Sequence, residues 1–390
     1  MATNSAAQAN IPAIHRPVLR AGGRSGLEAA DIMFSMTSER LPPVEEILAE
    51  AVVVSVPMRT RFRGQTAREV MLFRGPAGWA EFAPFTEYGP EESSHWLYCG
   101  IEAAFSGLGH PLRASVPINA TVPAVAADQV FGVLSSYADL EAIPAVKVKV
   151  AEPGQTLDDD LARVTEVRRL LPHAGLRVDA NGGWGLAEAT GALARIAEAA
   201  GGLEYAEQPV AGVEPLAQLR ENLQKAGVDM RIAADEAVRK ADDPLRVAKL
   251  GAADLIVVKA APLGGVQRAL KVVEQAGLDA VVSSALDTSV GLTAGLALAA
   301  QLPQLPYACG LGTITLFESE LVDSPLVPEA GAIRVPLADT GQGERITAPT
   351  PNPELVQRCR APETRQQWWQ QRVRAAHQVL SRRTSSPVPK

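Results

Sequence analysis

Six ionisable residues stand at the ends of short apolar runs, and their types suggest one site. Lys147 and Lys149 close the run PAVKVKV and Asp179 closes LRVDA. Glu207 lies in LEYAEQP, Asp235 in VDMRIAADE and Lys259 in AADLIVVKAA. Three carboxylates brought together repel one another unless they are protonated or share a cation. Oxygen-only ligation suits a hard ion, and a wide site with room for water and substrate oxygens favours Mg²⁺. Zinc ordinarily takes His or Cys, and none of His15, His95, His110, His173 and His377 falls at these run ends. Lysine usually titrates near 10.4 and is then a poor base. A divalent cation, a second ammonium group and partial burial all disfavour the charged form, so paired lysines beside such an ion have the chemistry to move a proton on carbon. Taken singly, each acid reads equally well as a helix cap or a loop charge; Asp179, for one, precedes the good turn Asn181-Gly182-Gly183. Acids on three consecutive runs, with lysines on the runs to either side, are not a pattern that independent caps produce.

The elements that must carry these residues show as a repeat. Amphipathic stretches end at Gly175, Gly202, Gly227, Gly251 and Gly277, at intervals of 24 to 27 residues, and a β-rich run follows each. Glycine just past a helix end supplies a left-handed turn without a Cβ clash. The runs at 176–180, 203–209, 228–236, 252–261 and 278–285 are mostly apolar, as in strands of a parallel sheet buried on both faces. Helical spacing joins them: Leu157, Leu161, Val164 and Leu171; then Leu216, Leu219 and Leu223; then Val266, Leu270 and Val273. The repeat extends back to 116–122 and 144–150 and forward to 306–311. Eight strands alternating with helices predict an α/β fold of the (β/α)₈ barrel type. A doubly wound open sheet is the competitor, but no GxGxxG follows the first strand. Barrel enzymes hold their chemistry at the C-terminal strand ends. The acids then occupy strands three to five and the lysines strands two and six, so Lys149 and Lys259 flank the substrate carbon from two sides. Lys147 faces the same way as Lys149 by strand alternation, one layer lower, in a supporting role.

The flanks complete the plan. Residues 1–38 show no sustained period and read as a loosely ordered extension. Residues 39–112 carry β-rich runs at 51–59 and 69–73 and a helical pattern at 95–105, an α+β cap before the barrel at 113–320. Residues 321–390 end in a helix near 364–382 containing Trp368 and Trp369, expected to pack on cap and barrel. The 390 residues suit a barrel of about 250 with additions. A net charge of −7 with no basic stripe argues against nucleic-acid or anionic-membrane partners. No apolar stretch of about 18 residues and no signal-peptide core is present. The scattered, odd-numbered Cys99, Cys309 and Cys359 suit a reducing cytoplasm. The oligomeric state stays open, and a monomer is compatible with all of this.

The segments VKVKV (146–150), VDANGGW (178–184), EQP (207–209), ADE (234–236), VVKAAPLGG (257–265) and SSALDTSVGL (283–292) occur in this order. They resemble the enolase superfamily, within it the muconate-lactonizing-enzyme-like group and its actinobacterial o-succinylbenzoate synthase branch; the cap is similar more loosely. The resemblance implies that Asp179, Glu207 and Asp235 ligate Mg²⁺, with Asn181 in support. It implies that Lys149 takes the proton α to the substrate carboxylate while Lys259 stabilises the enediolate by its charge. The superfamily is itself a general example of a lysine base beside Mg²⁺. Ser283 and Ser284 are implied near a succinyl tail, although small residues there also allow tight strand packing. The implied reaction is a hydro-lyase step of menaquinone synthesis on a small dicarboxylate: syn-dehydration of 2-succinyl-6-hydroxy-2,4-cyclohexadiene-1-carboxylate to o-succinylbenzoate. In the cap, Arg59, Arg61, Arg63 and Arg68 surround Gly64-Gln65. Arg61 and Arg63 are candidates for the second substrate carboxylate, and a solvated basic loop is the plainer reading.

Rival readings keep or change the chemistry. An N-succinylamino-acid racemase or dipeptide epimerase needs the same two lysines, but the acids that epimerases place after strand eight have no counterpart in ACGLGT (308–313). A muconate-type cycloisomerase is a third option on this fold. A Schiff-base aldolase using Lys259 leaves three carboxylates unexplained, and a non-catalytic binding barrel has no need of paired lysines.

Overall fold

A computed structural model describes residues 41–62, 65–137, 139–238, 243–339, 341 and 343–385; the extension at 1–38 lies outside them. After a short helix, α1 (Val44–Leu48), three antiparallel strands form a meander: β1 (Val52–Phe62), β2 (Gln65–Gly75) and β3 (Gly78–Phe82). The two expected β-rich runs fall in β1 and β2. The third strand, with Met71 opposite Phe82, was not foreseen because its five residues include a glycine and a glutamate. Helix α2 (Pro90–Ile101) opens with proline in its first turn, where the missing N–H costs nothing, and runs into one π-helical turn at Glu102–Ser106.

The barrel strands follow: β4 (Ser115–Pro117), β5 (Ala120–Val122), β6 (Ala145–Lys149), β7 (Gly175–Asp179), β8 (Tyr205–Glu207), β9 (Ile232–Ala234), β10 (Leu255–Val258) and β11 (Asp279–Val282). Strands β5 to β11 lie side by side, parallel and in chain order. Closure comes from the segment foreseen as strand eight. Cys309 N donates to Pro117 O at 2.7 Å and Asn119 N donates to Cys309 O at 3.0 Å. On the other side Gly310 N donates to Val282 O at 2.8 Å and Ser284 N to Gly310 O at 3.0 Å. The eighth stave therefore exists as single parallel bridges, Ile118 with Cys309 and Ser283 with Gly310, instead of a ladder. The first stave also departs from the continuous run at 116–122. Pro117 has no N–H to give a ladder, and β4 turns aside to pair antiparallel with β12 (Ala332–Arg334).

Between staves lie α3 (Val130–Leu134), α4 (Leu157–Leu170), α5 (Leu186–Ala200), α6 (Val213–Lys225), α7 (Asp243–Lys249), α8 (Val266–Ala276) and α9 (Ser289–Gln301). Gly202, Gly227, Gly251 and Gly277 hold φ of 105°, 69°, 58° and 62°, as helix-ending turns require. Gly175 does not: α4 ends at Leu170, and Gly175 opens β7.

Strand alternation sorts the interior. Val146, Val148, Leu176, Val178, Ala206, Ile232, Ala234, Ile256 and Val258 join the main core. The intervening residues Tyr205, Ala233, Leu255, Val257 and Val281 meet Tyr307 in a separate buried cluster, the floor inside the ring.

Two C-terminal helices, α10 (Pro353–Arg358) and α11 (Glu363–Ser385), finish the chain. Helix α11 packs on the cap strands. Trp369 is fully buried, meets Phe82 edge-on at 5.7 Å, and donates to Glu69 at 2.9 Å, which Arg365 also binds at 2.6 Å. Among the described residues no helix is long and apolar enough to cross a membrane.

Candidate active site

Moving up each stave by two residues takes the inner face from the floor to a charged cup. Tyr205 gives way to Glu207 on β8, and Arg177 to Asp179 on β7. Asp235 and Lys259 stand one residue past β9 and β10. The cup, about 490 Å³ and open to solvent, is lined by Lys147, Lys149, Asp179, Asn181, Asp235, Lys259, Ser283 and Ser284. Staves β6 and β10 are four apart in a ring of eight, so Lys149 and Lys259 stand across the cup from each other. Glu207 is buried beneath it. Of the remaining residues singled out from the sequence, Arg63 and the side chain of Arg61 lie outside the described residues.

Two unit charges about 4 Å apart repel by roughly 4 kcal/mol even at an effective dielectric of about 20, so acids on adjacent staves need positive charge close by. Lysines supply it. Lys147 Nζ donates to both Glu207 oxygens at 2.9 and 3.0 Å and lies 3.2 Å from Asp179 Oδ2. Lys149 Nζ donates to Asp179 Oδ2 and to Asn181 Oδ1, each at 2.5 Å, and Lys259 is paired with Asp235. Burial opposes the charge on Lys147, but Glu207 and Asp179 outweigh it and hold the ammonium charged. Burial likewise works to raise Asp179, and Lys149 and Lys147 overcome it and keep the acid ionised. Glu207 is less well compensated: burial first, then the neighbouring Asp179, push its carboxyl up to about 7.

Among the described residues, no three His, Cys, Asp or Glu side chains are gathered into a ready-made ion site; each acid of the cup is turned onto a lysine. The donor chemistry nevertheless fits a hard divalent cation. The donors are carboxylate oxygens alone, drawn from three adjacent staves.

Strained backbone surrounds the cup. Ala151, Asn181, Gln208 and Leu286 have φ of 57°, 47°, 39° and 63°, each within a few residues of a strand end. Such conformations cost of order 1–3 kcal/mol apiece and persist where surroundings enforce them. At Asn181, the backbone N–H donates to Asp179 Oδ1 at 3.1 Å and the side chain to Glu236 at 3.1 Å, so the turn orients the acid before it. Gln208, fully buried, accepts from the backbone N–H groups of Asp235 and Ala237 at 3.1 and 3.0 Å and fixes the start of the next loop.

Several residues of the cup carried no charge to betray them in the sequence. Thr121 on stave one, Thr313 after stave eight, and Phe85 from the cap all line it. Ser284 and Thr313 share a hydrogen bond at 2.5 Å, so hydroxyl groups face the carboxylates from the opposite arc. Reading uncharged polar residues at the strand ends would have found both threonines; Phe85 had no such signal.

Comparison with known proteins agrees with this fold. A family model described as enolase C-terminal domain-like matches residues 133–348, and one described as enolase N-terminal domain-like matches residues 53–104. The o-succinylbenzoate synthase of Mycobacterium tuberculosis is 49% identical over 340 residues, covering 87% of this chain and 97% of its own. The chain belongs to the o-succinylbenzoate synthase family of the enolase superfamily. A second member of that family, from Mycolicibacterium smegmatis, is also 49% identical, across 87% of this chain and 99% of its own. Solved structures of the superfamily share the fold. 2-Chloromuconate cycloisomerase from Rhodococcus opacus 1CP superposes with a TM-score of 0.64 at 21% identity, covering 80% of this chain and 98% of its own. Muconate lactonizing enzyme from Pseudomonas fluorescens, complexed with muconolactone, gives 0.65 at 18% identity with the same coverage.

Proposed function

We propose that this enzyme dehydrates 2-succinyl-6-hydroxy-2,4-cyclohexadiene-1-carboxylate to o-succinylbenzoate, as a Mg²⁺-dependent cytoplasmic hydro-lyase of menaquinone synthesis. The observation that carries the reading is the pair of lysine amino groups, Lys149 and Lys259, facing each other across a cup walled by acids. Residues 39–112 serve as the cap, 113–320 as the barrel, and 321–390 as a segment that braces both.

Asp179, Glu207 and Asp235 would hold the ion, with Asn181 orienting Asp179 and Lys147 balancing Glu207. When bound, Mg²⁺ supplies positive charge at the substrate carboxylate, where negative charge grows as the neighbouring C–H bond breaks. Lys149, entering the step as the neutral amine, takes that proton and hands it to the departing hydroxyl on the same face, so the C–O bond breaks, water leaves and the amine is regenerated. Lys259 remains an ammonium on the other face, where its charge favours the electron-rich ring. Ser283, Ser284 and Thr313 receive the succinyl arm, and aromatisation draws the reaction forward. Arg61 or Arg63 is assigned to the arm's carboxylate.

A substrate panel tests the assignment: the cyclohexadiene, N-succinyl amino acids and dipeptides, followed by absorbance and polarimetry. Water loss from the cyclohexadiene is expected, abolished by EDTA and restored by Mg²⁺. Proton exchange confined to N-succinyl amino acids would favour a racemase, and chelator-resistant turnover would remove the metal from the scheme.

A further inference from the structure

The wall of the cup away from the acids is shared between two parts of the chain. Phe85 comes from the cap, while Ala285 and Leu286 come from the loop between β11 and α9. One side chain that does not itself line the cup holds all three. Arg68 on β2 is 3% exposed. Its Nε donates to Leu286 O at 3.1 Å, its Nη2 donates to Ala285 O at 3.3 Å and to Ala83 O, and its guanidinium lies 4.4 Å from the Phe85 ring centroid. Leu286 keeps its left-handed φ of 63° with its carbonyl held by that guanidinium. Glu81 on β3 grips the far side of the same loop. It accepts from Thr288 N at 3.2 Å and from the Thr288 hydroxyl at the start of α9, and a Cβ at Gly291 would sit only 2.7 Å from its carboxyl carbon. Asp287, between these contacts, turns back to accept from Ala285 N at 3.0 Å. From behind, Arg372 on α11 donates to Pro84 O at 3.0 Å and Tyr88 O at 2.9 Å, fixing the cap loop that carries Phe85.

We infer that Arg68 is a positioning residue for substrate selection: by tying the cap to the seventh-stave loop it sets where Phe85 and Leu286 stand. The wall so formed suits a flexible arm whose methylene groups lie on Phe85 and Leu286, beside the hydroxyls of Ser283, Ser284 and Thr313. The inference rests on the dehydratase reading above. Only a planar, five-donor guanidinium serves three carbonyls and a ring at once, so lysine is a poor replacement.

The test uses the full chain with saturating Mg²⁺ and the variants Arg68→Met, Arg68→Gln and Arg68→Lys. Calorimetry gives the Kd of o-succinylbenzoate and of benzoate, which lacks the arm; steady-state kinetics give kcat and KM for the cyclohexadiene. In all three variants the Kd of o-succinylbenzoate and the KM are expected to rise about tenfold or more, with benzoate affinity and kcat changed less than about threefold. Lysine is not expected to rescue. Should Arg68→Met prove unable to fold by circular dichroism, the glutamine and lysine variants carry the same comparison. Equal losses for the two ligands, or unchanged ratios, would overturn the role of Arg68. A wild-type protein that binds o-succinylbenzoate but leaves the cyclohexadiene untouched would instead overturn the dehydratase reading.

Discussion

Arg177 and Asp179 sit two residues apart on β7, both point into the ring, and both are buried, yet they belong to different worlds. Arg177 is enclosed by the floor: Nε meets Glu204 at 2.6 Å, Nη1 donates to Asn119 Oδ1 at 3.1 Å and Ala308 O at 2.6 Å, and the rings of Tyr205 and Tyr307 lie at 4.9 and 5.8 Å. Asp179 instead borders open volume, and its partners are the amino groups of Lys147 and Lys149. Buried charge alone therefore does not mark a reactive site. Buried charge beside a cavity is where we place the reactive layer.

The sharpest way to break this contrast is to remove the lysines of the cup. Lys149→Ala and Lys259→Ala are each expected to lower kcat by about 10³, within the range typical of lost acid–base or charge assistance, while the melting temperature with Mg²⁺ present changes by only a few degrees. Near-normal turnover in either variant would mean the cup is not the reactive layer. The floor should answer in the opposite way. Leu255→Ala is expected to cost about 2–5 kcal/mol of stability, as for buried leucines generally, with kcat per folded molecule preserved; urea titration and active-site-normalised kinetics read the two quantities. Arg177→Met removes donors from Asn119 and the Ala308 carbonyl and is expected to cost less, about 1–3 kcal/mol, again without a specific effect on turnover. At the junction of cap and barrel the expected effect is a pH slope. Burial, then Asp287, raise Glu81 from 4.5 to about 8. A carboxyl whose folded value is raised favours the fold below its unfolded pKa and loses that contribution as pH climbs through the folded one. Stability should thus fall between pH 4.5 and about 8, and Glu81→Gln should flatten the fall. An unchanged profile of melting temperature against pH would show that Glu81 is not its source.

The charged layer was legible in the sequence because ionic residues are conspicuous at the ends of apolar runs, and the spacing of the glycines counted most of the staves. What stayed hidden depended on contacts distant along the chain. Arg68 was visible only as one of four arginines near Gly64, while the carbonyl it serves lies 218 positions away. Phe85 reaches the cup only because α11 and β2 hold its loop. The outer staves were less regular than the repeat suggested for a local reason as well: Pro117 cannot donate, and the run at 306–311 includes Pro306 and Gly310, which weaken any ladder they enter.

That last irregularity gives the cylinder a clasp. Four backbone hydrogen bonds in two single bridges, at Cys309 and Gly310, fasten the ring, whereas β7, β8 and β9 pair with one another through ladders of two or three residues. Amide exchange should begin at this fastening and spread from it. Such an opening would loosen Thr313 and Ser284 first and leave Asp179, Glu207 and Asp235 in register, so the half proposed to receive the succinyl arm can breathe while the half proposed to hold the ion keeps its shape.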